Sequence, residues 1–168
     1  MVSPVPLKGD FSLLDEDGQR VSLATYRGRA VLAYFGYTFC PDVCPTNLGA
    51  MSSALALLPE AVAGRIQPLF VTVDPERDTV AQLRDYTASF HDRLVGLTGT
   101  AAEVAQAARA FGVYYARVEE QGNPDGYLMD HGSSTYLVDG QGRLISIFPH
   151  NTDPKVMADA IIELLKTR

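Results

Sequence analysis

The 168-residue chain has little of several things that would otherwise decide its class. It holds only two cysteines, Cys40 and Cys44. Two are too few for a disulfide scaffold, and a bridge between them would close so short a loop that little entropy would leave the unfolded chain. Lysine is scarce as well, three against eleven arginines, and the basic residues are scattered through a chain of net charge −6. Without a basic cluster a nucleic-acid partner is not expected. No run of about 18 apolar residues occurs, so no membrane-spanning helix is predicted. The opening MVSPVPLKGD lacks the basic and apolar regions of a signal peptide, and residues 1–8 read as a linker remnant of a removed signal or anchor. No long repeat or interior linker divides the chain. One domain over residues 1–168 is expected, its 46% hydrophobic content enough to form a real core.

What is present has an alternating order. FSLLDEDGQRVSL, residues 11–23, alternates apolar and polar on either side of Asp17-Gly18 and predicts a β-hairpin. AVLAYFGY, residues 30–37, is an unbroken apolar run of strand length, as a central strand covered on both faces requires. After Cys44, Leu48, Met51, Leu55 and Leu58 recur at helical spacing, with Pro45 suited to the first turn and Pro59 to the stop. A second buried strand is expected over 66–74, then a helix over 79–90 capped by Thr79. A short strand follows at 94–97, then a helix opened by the Thr100/Glu103 capping box and closed by Gly112. Residues 113–118 read as strand, 119–126 as a polar insertion, 134–148 as a hairpin turning through Asp139 to Gly142, and Asp153-Pro154 as the start of a last amphipathic helix. The order is hairpin, βαβαβαβ, hairpin, helix: an α/β domain.

In open α/β sheets ligands gather beyond the carboxyl ends of the strands, where YTFCPDVCP, residues 37–45, falls. Cysteines four apart on a helical turn place their Cβ atoms about 6 Å apart, within reach of a disulfide or of one shared metal ion after a modest adjustment. Cys44, near a helix N-terminus, is expected to favour the thiolate, which suits either chemistry. A metal would need a further ligand from His91, His131 or His150. His91, in SFHDR, reads first as a surface residue matched to a helix end; His150, in FPHNTDP, as a polar loop residue. His131, in MDHGSSTY where a loop enters a strand, is open to both readings, and Asp130 beside it reads either as a solvated acid or as a partner that orients a ligating imidazole. Two thiolates and one imidazole suit copper(I), whereas structural zinc would want a fourth ligand. The redox reading stays open, although the thioredoxin pattern has two residues between its cysteines and this one has three.

GYTFCPDVCP at 36–45, VTVDPERDT at 71–79, LVGLTGT at 94–100 and MDHGSSTYLVDGQG at 129–142 resemble, in order and spacing, the motifs of the SCO/SenC proteins, over nearly the whole chain. The resemblance implies a thioredoxin-like fold with an N-terminal β-hairpin and an additional hairpin insertion near a copper site. It implies one copper ion, as Cu(I) or Cu(II), held by Cys40, Cys44 and His131, with Asp130 adjacent, and leaves His91 and His150 as ordinary residues. It implies service to the copper A centre of cytochrome c oxidase subunit II, by donating copper or by reducing that subunit's cysteines through the Cys40/Cys44 pair. The expected setting is extracytoplasmic, in the bacterial periplasm or on the outer face of the cytoplasmic membrane, with an anchor in the full-length protein. A monomer is expected, with a second periplasmic copper chaperone as a candidate partner. Phe39 departs from the polar or histidine residue of many relatives and would make the rim more apolar. Asp74 and Asp78 read as turn residues with Arg77 as an ion-pair partner, the loop serving as support or docking surface. A peroxiredoxin, which shares the fold, is disfavoured because neither cysteine has the Pro and Thr of the PxxxTxxC pattern.

Overall fold

The computed structural model describes residues 5–7, 9–39, 43–119 and 127–166, and of Val43, Tyr127, Leu128 and Asp130 the backbone alone. At its centre is β4 (Ala30–Gly36), every residue of which is buried. The parallel β5 (Ile66–Thr72) and β6 (Val95–Leu97) lie to one side of it. On the other side β9 (Thr135–Val138) and β10 (Arg143–Phe148) form an antiparallel hairpin. The stretch read as linker contributes β1 (Val5–Pro6), which pairs with Leu144 and Arg143 of β10. The six-stranded order is β1-β10-β9-β4-β5-β6.

Successive side chains of a strand point to opposite faces, so Tyr34 and Phe35 mark the two sides of the sheet. Phe35 meets Phe111 of α4 (Ala101–Phe111), with ring centroids 5.2 Å apart. Tyr34 lies over Phe70, and Phe70 in turn meets Tyr86 of α3 (Val80–Ala88). The Tyr34 hydroxyl also reaches Cys44 on α1 (Val43–Ala56), and α1 packs on α5 (Pro154–Lys166). Removing Phe35 or Phe70 from water is worth about 1.5–3 kcal/mol each, which fixes both helical layers on β4 and β5.

The expected local signals are in place. Thr79 caps α3 by accepting from the Gln82 amide. Thr100 and Glu103 form the reciprocal capping box of α4, and Gly112 closes that helix at φ 73°. In the first hairpin, β2 (Leu13–Leu14) pairs with β3 (Arg20–Val21), and the Asp15 carboxylate accepts from the amides of Asp17 and Gln19. The β9–β10 turn is held by Asp139, which accepts from the Gln141 and Arg143 amides and pairs with the Arg143 guanidinium at 2.8 Å. Two short elements go beyond the expected order: a 3₁₀ turn over Leu23–Tyr26 and α2 (Glu60–Ala63), directly after Pro59.

One correction bears on function. The strand expected at 113–118 does not continue the main sheet. It is β7 (Tyr115–Glu119), paired antiparallel with β8 (Tyr127–His131) in a separate ribbon. Arg117, Val118 and Glu119 are exposed, so this strand has no apolar second face for a sheet interior. His131 is therefore the last residue of a strand, opposite Tyr115, rather than part of a loop entering one.

Candidate metal centre

β4 ends at Gly36, and the chain passes through buried Tyr37 to Thr38 and the exposed Phe39. Cys40, and the side chain of Asp130, lie outside the described residues. Cys44 is fully buried in the first turn of α1. The close approach of this turn to β4 requires Gly36: a Cβ there would stand 2.6 Å from the Cys44 sulfur and 2.9 Å from the Tyr34 ring.

The β7–β8 ribbon delivers His131 to the same point. Its Nε2 lies 3.4 Å from Cys44 Sγ. Its Nδ1 lies 2.8 Å from the Gly132 carbonyl oxygen, which can only accept, so in the neutral ring Nδ1 carries the proton and Nε2 turns its lone pair toward the sulfur. The rings of Tyr34 and Tyr37 stand edge-on to the imidazole, at centroid distances of 6.1 and 5.7 Å. The Tyr34 hydroxyl lies 3.6 Å from the sulfur. A sulfur and a bare imidazole nitrogen thus converge between two aromatic walls. Among the described residues no group of three or more His, Cys, Asp or Glu side chains is placed to hold a metal.

The DPERDT segment underlies the approach to the cysteines. Asp78 is fully buried and accepts from the Thr38 amide at 3.0 Å, the Thr38 hydroxyl at 2.6 Å and the Thr72 hydroxyl at 2.7 Å. Burial pushes its carboxyl above the ordinary aspartate range, while the hydrogen bonds from Thr38 and Thr72 work in the opposite direction. Asp74 pairs with Arg77 at 2.6 Å, and the guanidinium lies 5.8 Å from the Tyr37 ring centre and 4.5 Å from that of Phe39. Asp74, Arg77 and Asp78 therefore support the strand end from which the cysteine segment departs. The apolar Phe39 is a lid on Arg77, a role its neighbours in sequence gave no sign of.

The other two histidines have partners of their own. His91, past the end of α3, accepts at Nδ1 from the Arg93 amide at 3.0 Å. His150, read as an ordinary loop residue, has a buried partner, the Asn47 side chain at 3.1 Å. No sequence pattern signalled that contact, because it joins positions far apart in the chain.

The family model SCO1/SenC matches residues 2–166. The chain belongs to the SCO1/SenC family. It is 42% identical over 161 residues to the mitochondrial SCO2 homolog of Danio rerio, covering 95% of this chain and 57% of the relative. It covers 47% of the mitochondrial SCO1 homolog 1 of Arabidopsis thaliana. Among solved SCO structures, copper-bound ScoI of Bradyrhizobium japonicum is 37% identical with a TM-score of 0.85, over 94% of this chain and 99% of that one. Copper-bound yeast Sco1 is 35% identical with a TM-score of 0.87, over 97% and 90%. The α/β fold is thus that of the thioredoxin-like SCO proteins, and several SCO structures hold copper.

Proposed function

We propose that this SCO1/SenC chain is a copper metallochaperone whose ion is held by Cys40, Cys44 and His131. The observation that carries the proposal is the 3.4 Å approach of His131 Nε2 to Cys44 Sγ, with Nδ1 tied to a backbone carbonyl. Sulfur and neutral imidazole are donors a soft ion prefers, and a ligating histidine characteristically gives its other N–H to a carbonyl or carboxylate. Cys40 would supply the second thiolate, and Asp130, the residue before His131, is proposed as an orienting partner. The residues present fit copper, which here is cargo. The aromatic walls of Tyr34 and Tyr37 restrict water, and the buried Cys44 would be the last donor to leave during transfer by ligand exchange. The recipient we propose is the copper A centre of cytochrome c oxidase subunit II, with the domain facing the periplasm or the outer side of the cytoplasmic membrane from an anchor.

A second reading uses the same atoms. Cys44 is inaccessible and has a base beside its sulfur, as a resolving thiol requires, so Cys40 would attack a disulfide of subunit II and Cys44 would release the reduced partner as a Cys40–Cys44 disulfide forms. His131→Ala separates the readings. Under the metallochaperone reading the variant loses copper affinity against a competing chelator; under the reductase reading it slows the reduction of oxidised subunit II, by less than loss of either cysteine does. Unchanged copper affinity would sink the three-ligand site.

A further inference from the structure

Besides the β7–β8 ladder and the contact of His131 with Cys44, hydrogen bonds at His131, Gly132 and Ser133 hold the segment that carries His131, and the one at Ser133 crosses to the helix that carries Cys44. The Gly132 amide donates to the Tyr114 carbonyl at 3.1 Å, and His131 Nδ1 donates to the Gly132 carbonyl at 2.8 Å. Both stay within the ribbon and its exit. The third comes from Asn47, one turn after Cys44 on α1, whose Nδ2 donates to the Ser133 carbonyl at 3.1 Å. A carbonyl only accepts, so this contact fixes which way the Asn47 amide points. Its Oδ1 then faces His150 Nδ1 at 3.1 Å, and His150 must donate there. Asn47 is 4% exposed, so its amide stays paired at the cost of holding three chain segments in register: α1, the residues after β8 and the residues after β10.

We propose that Asn47 and His150 are positioning residues for copper binding: Asn47 latches the His131 segment to the helix bearing Cys44, and His150 holds the Asn47 amide in the orientation that makes the latch. The proposal rests on the reading of Cys44 and His131 as ligands of one ion. They act by keeping His131 Nε2 where Cys44 is. Loss of such an orienting partner characteristically weakens metal binding about 10- to 100-fold.

The test is a copper(I) competition titration against a chelator on four proteins: the parent, Asn47→Leu, His131→Ala and the double variant. Asn47→Leu keeps the side-chain shape and removes both hydrogen bonds. The expected result is a loss of about 10- to 100-fold from Asn47→Leu in the parent. In the His131→Ala background, where no imidazole remains to position, the loss shrinks to about twofold or less. An equal loss in both backgrounds means that Asn47 merely supports α1, and no loss in the parent means there is no latch; either overturns the proposal. If His131→Ala alone leaves affinity unchanged, the ligand reading itself has failed, which is a different result. Should Asn47→Leu not fold, His150→Phe, which keeps a planar ring without the donor, is run through the same cycle and must show the same dependence on His131.

Discussion

Gly36 has no room for even a methyl group, since its missing Cβ would fall 2.6 Å from Cys44 Sγ, 2.9 Å from the Tyr34 ring and 3.0 Å from Phe70. The neighbours cannot yield cheaply, because Tyr34 and Phe70 are fully buried in the core. Overpacking at such a site costs about 1–3 kcal/mol. The softest neighbour is the sulfur, so Gly36→Ala should move Cys44 relative to His131. Urea denaturation should show the stability loss, and copper(I) competition should show weakened binding; a variant as stable and as tight as the parent would mean that α1 can shift away from β4 freely. The residue scale also shows where sequence reading works and fails. Scarce chemistry, two cysteines and three histidines, brought Cys44 and His131 to notice, but the resemblance to the SCO/SenC motifs, not the residues alone, singled out His131 among the histidines. Asn47 and His150 were not legible, because an asparagine and a loop histidine take on meaning only from the partners the fold brings to them.

The element that steadies the site is the turn between β5 and α3. Asp78 gathers three donors, two from Thr38 and one from Thr72, while Arg77 covers Tyr37 and Phe39. Replacing Asp78 by Asn turns an N–H toward the Thr38 hydroxyl, which must then accept where it had donated, at a cost of about 0.5–1.5 kcal/mol. The pH dependence follows from the raised carboxyl. Between the ordinary aspartate value of about 3.9 and the higher folded value, the native state binds the proton more tightly than the unfolded chain does. This contribution is therefore complete below the ordinary value and is lost as pH rises through the folded one. The stability gap between the parent and Asp78→Asn should narrow as pH rises through that window, measured by urea unfolding at each pH; a gap that widens would contradict a carboxyl held up by burial. Elements with their own local signals were readable in advance: the Thr100/Glu103 box, the Gly112 stop and the Asp139 turn all stand where the sequence put them. The β7–β8 ribbon had no such local signal: residues 115–119 have the propensity of a sheet strand, and it was the resemblance to the SCO/SenC proteins that led to an additional hairpin near the expected copper site.

At the scale of the whole molecule, a parallel β4–β5–β6 core extended by an antiparallel hairpin leaves the proposed ligands Cys44 and His131 at the carboxyl end of β4, where the helix bearing one and the ribbon bearing the other meet. Each of the two arrives on a separate element, so the site exists only when α1 and the ribbon are both docked on the sheet. Copper bound there would stabilise the fold by mass action, about 2.7 kcal/mol at a free concentration one hundred times the dissociation constant. The central claim is that Cys40, Cys44 and His131 hold one copper ion, and it is tested most directly by titrating the reduced protein with copper(II) and recording the thiolate-to-copper charge-transfer absorption. The account predicts a band that saturates at one copper per chain, disappears in Cys40→Ser and in Cys44→Ser, and shifts in His131→Ala. A band that persists unchanged in either cysteine variant, or that is indifferent to His131, would contradict it.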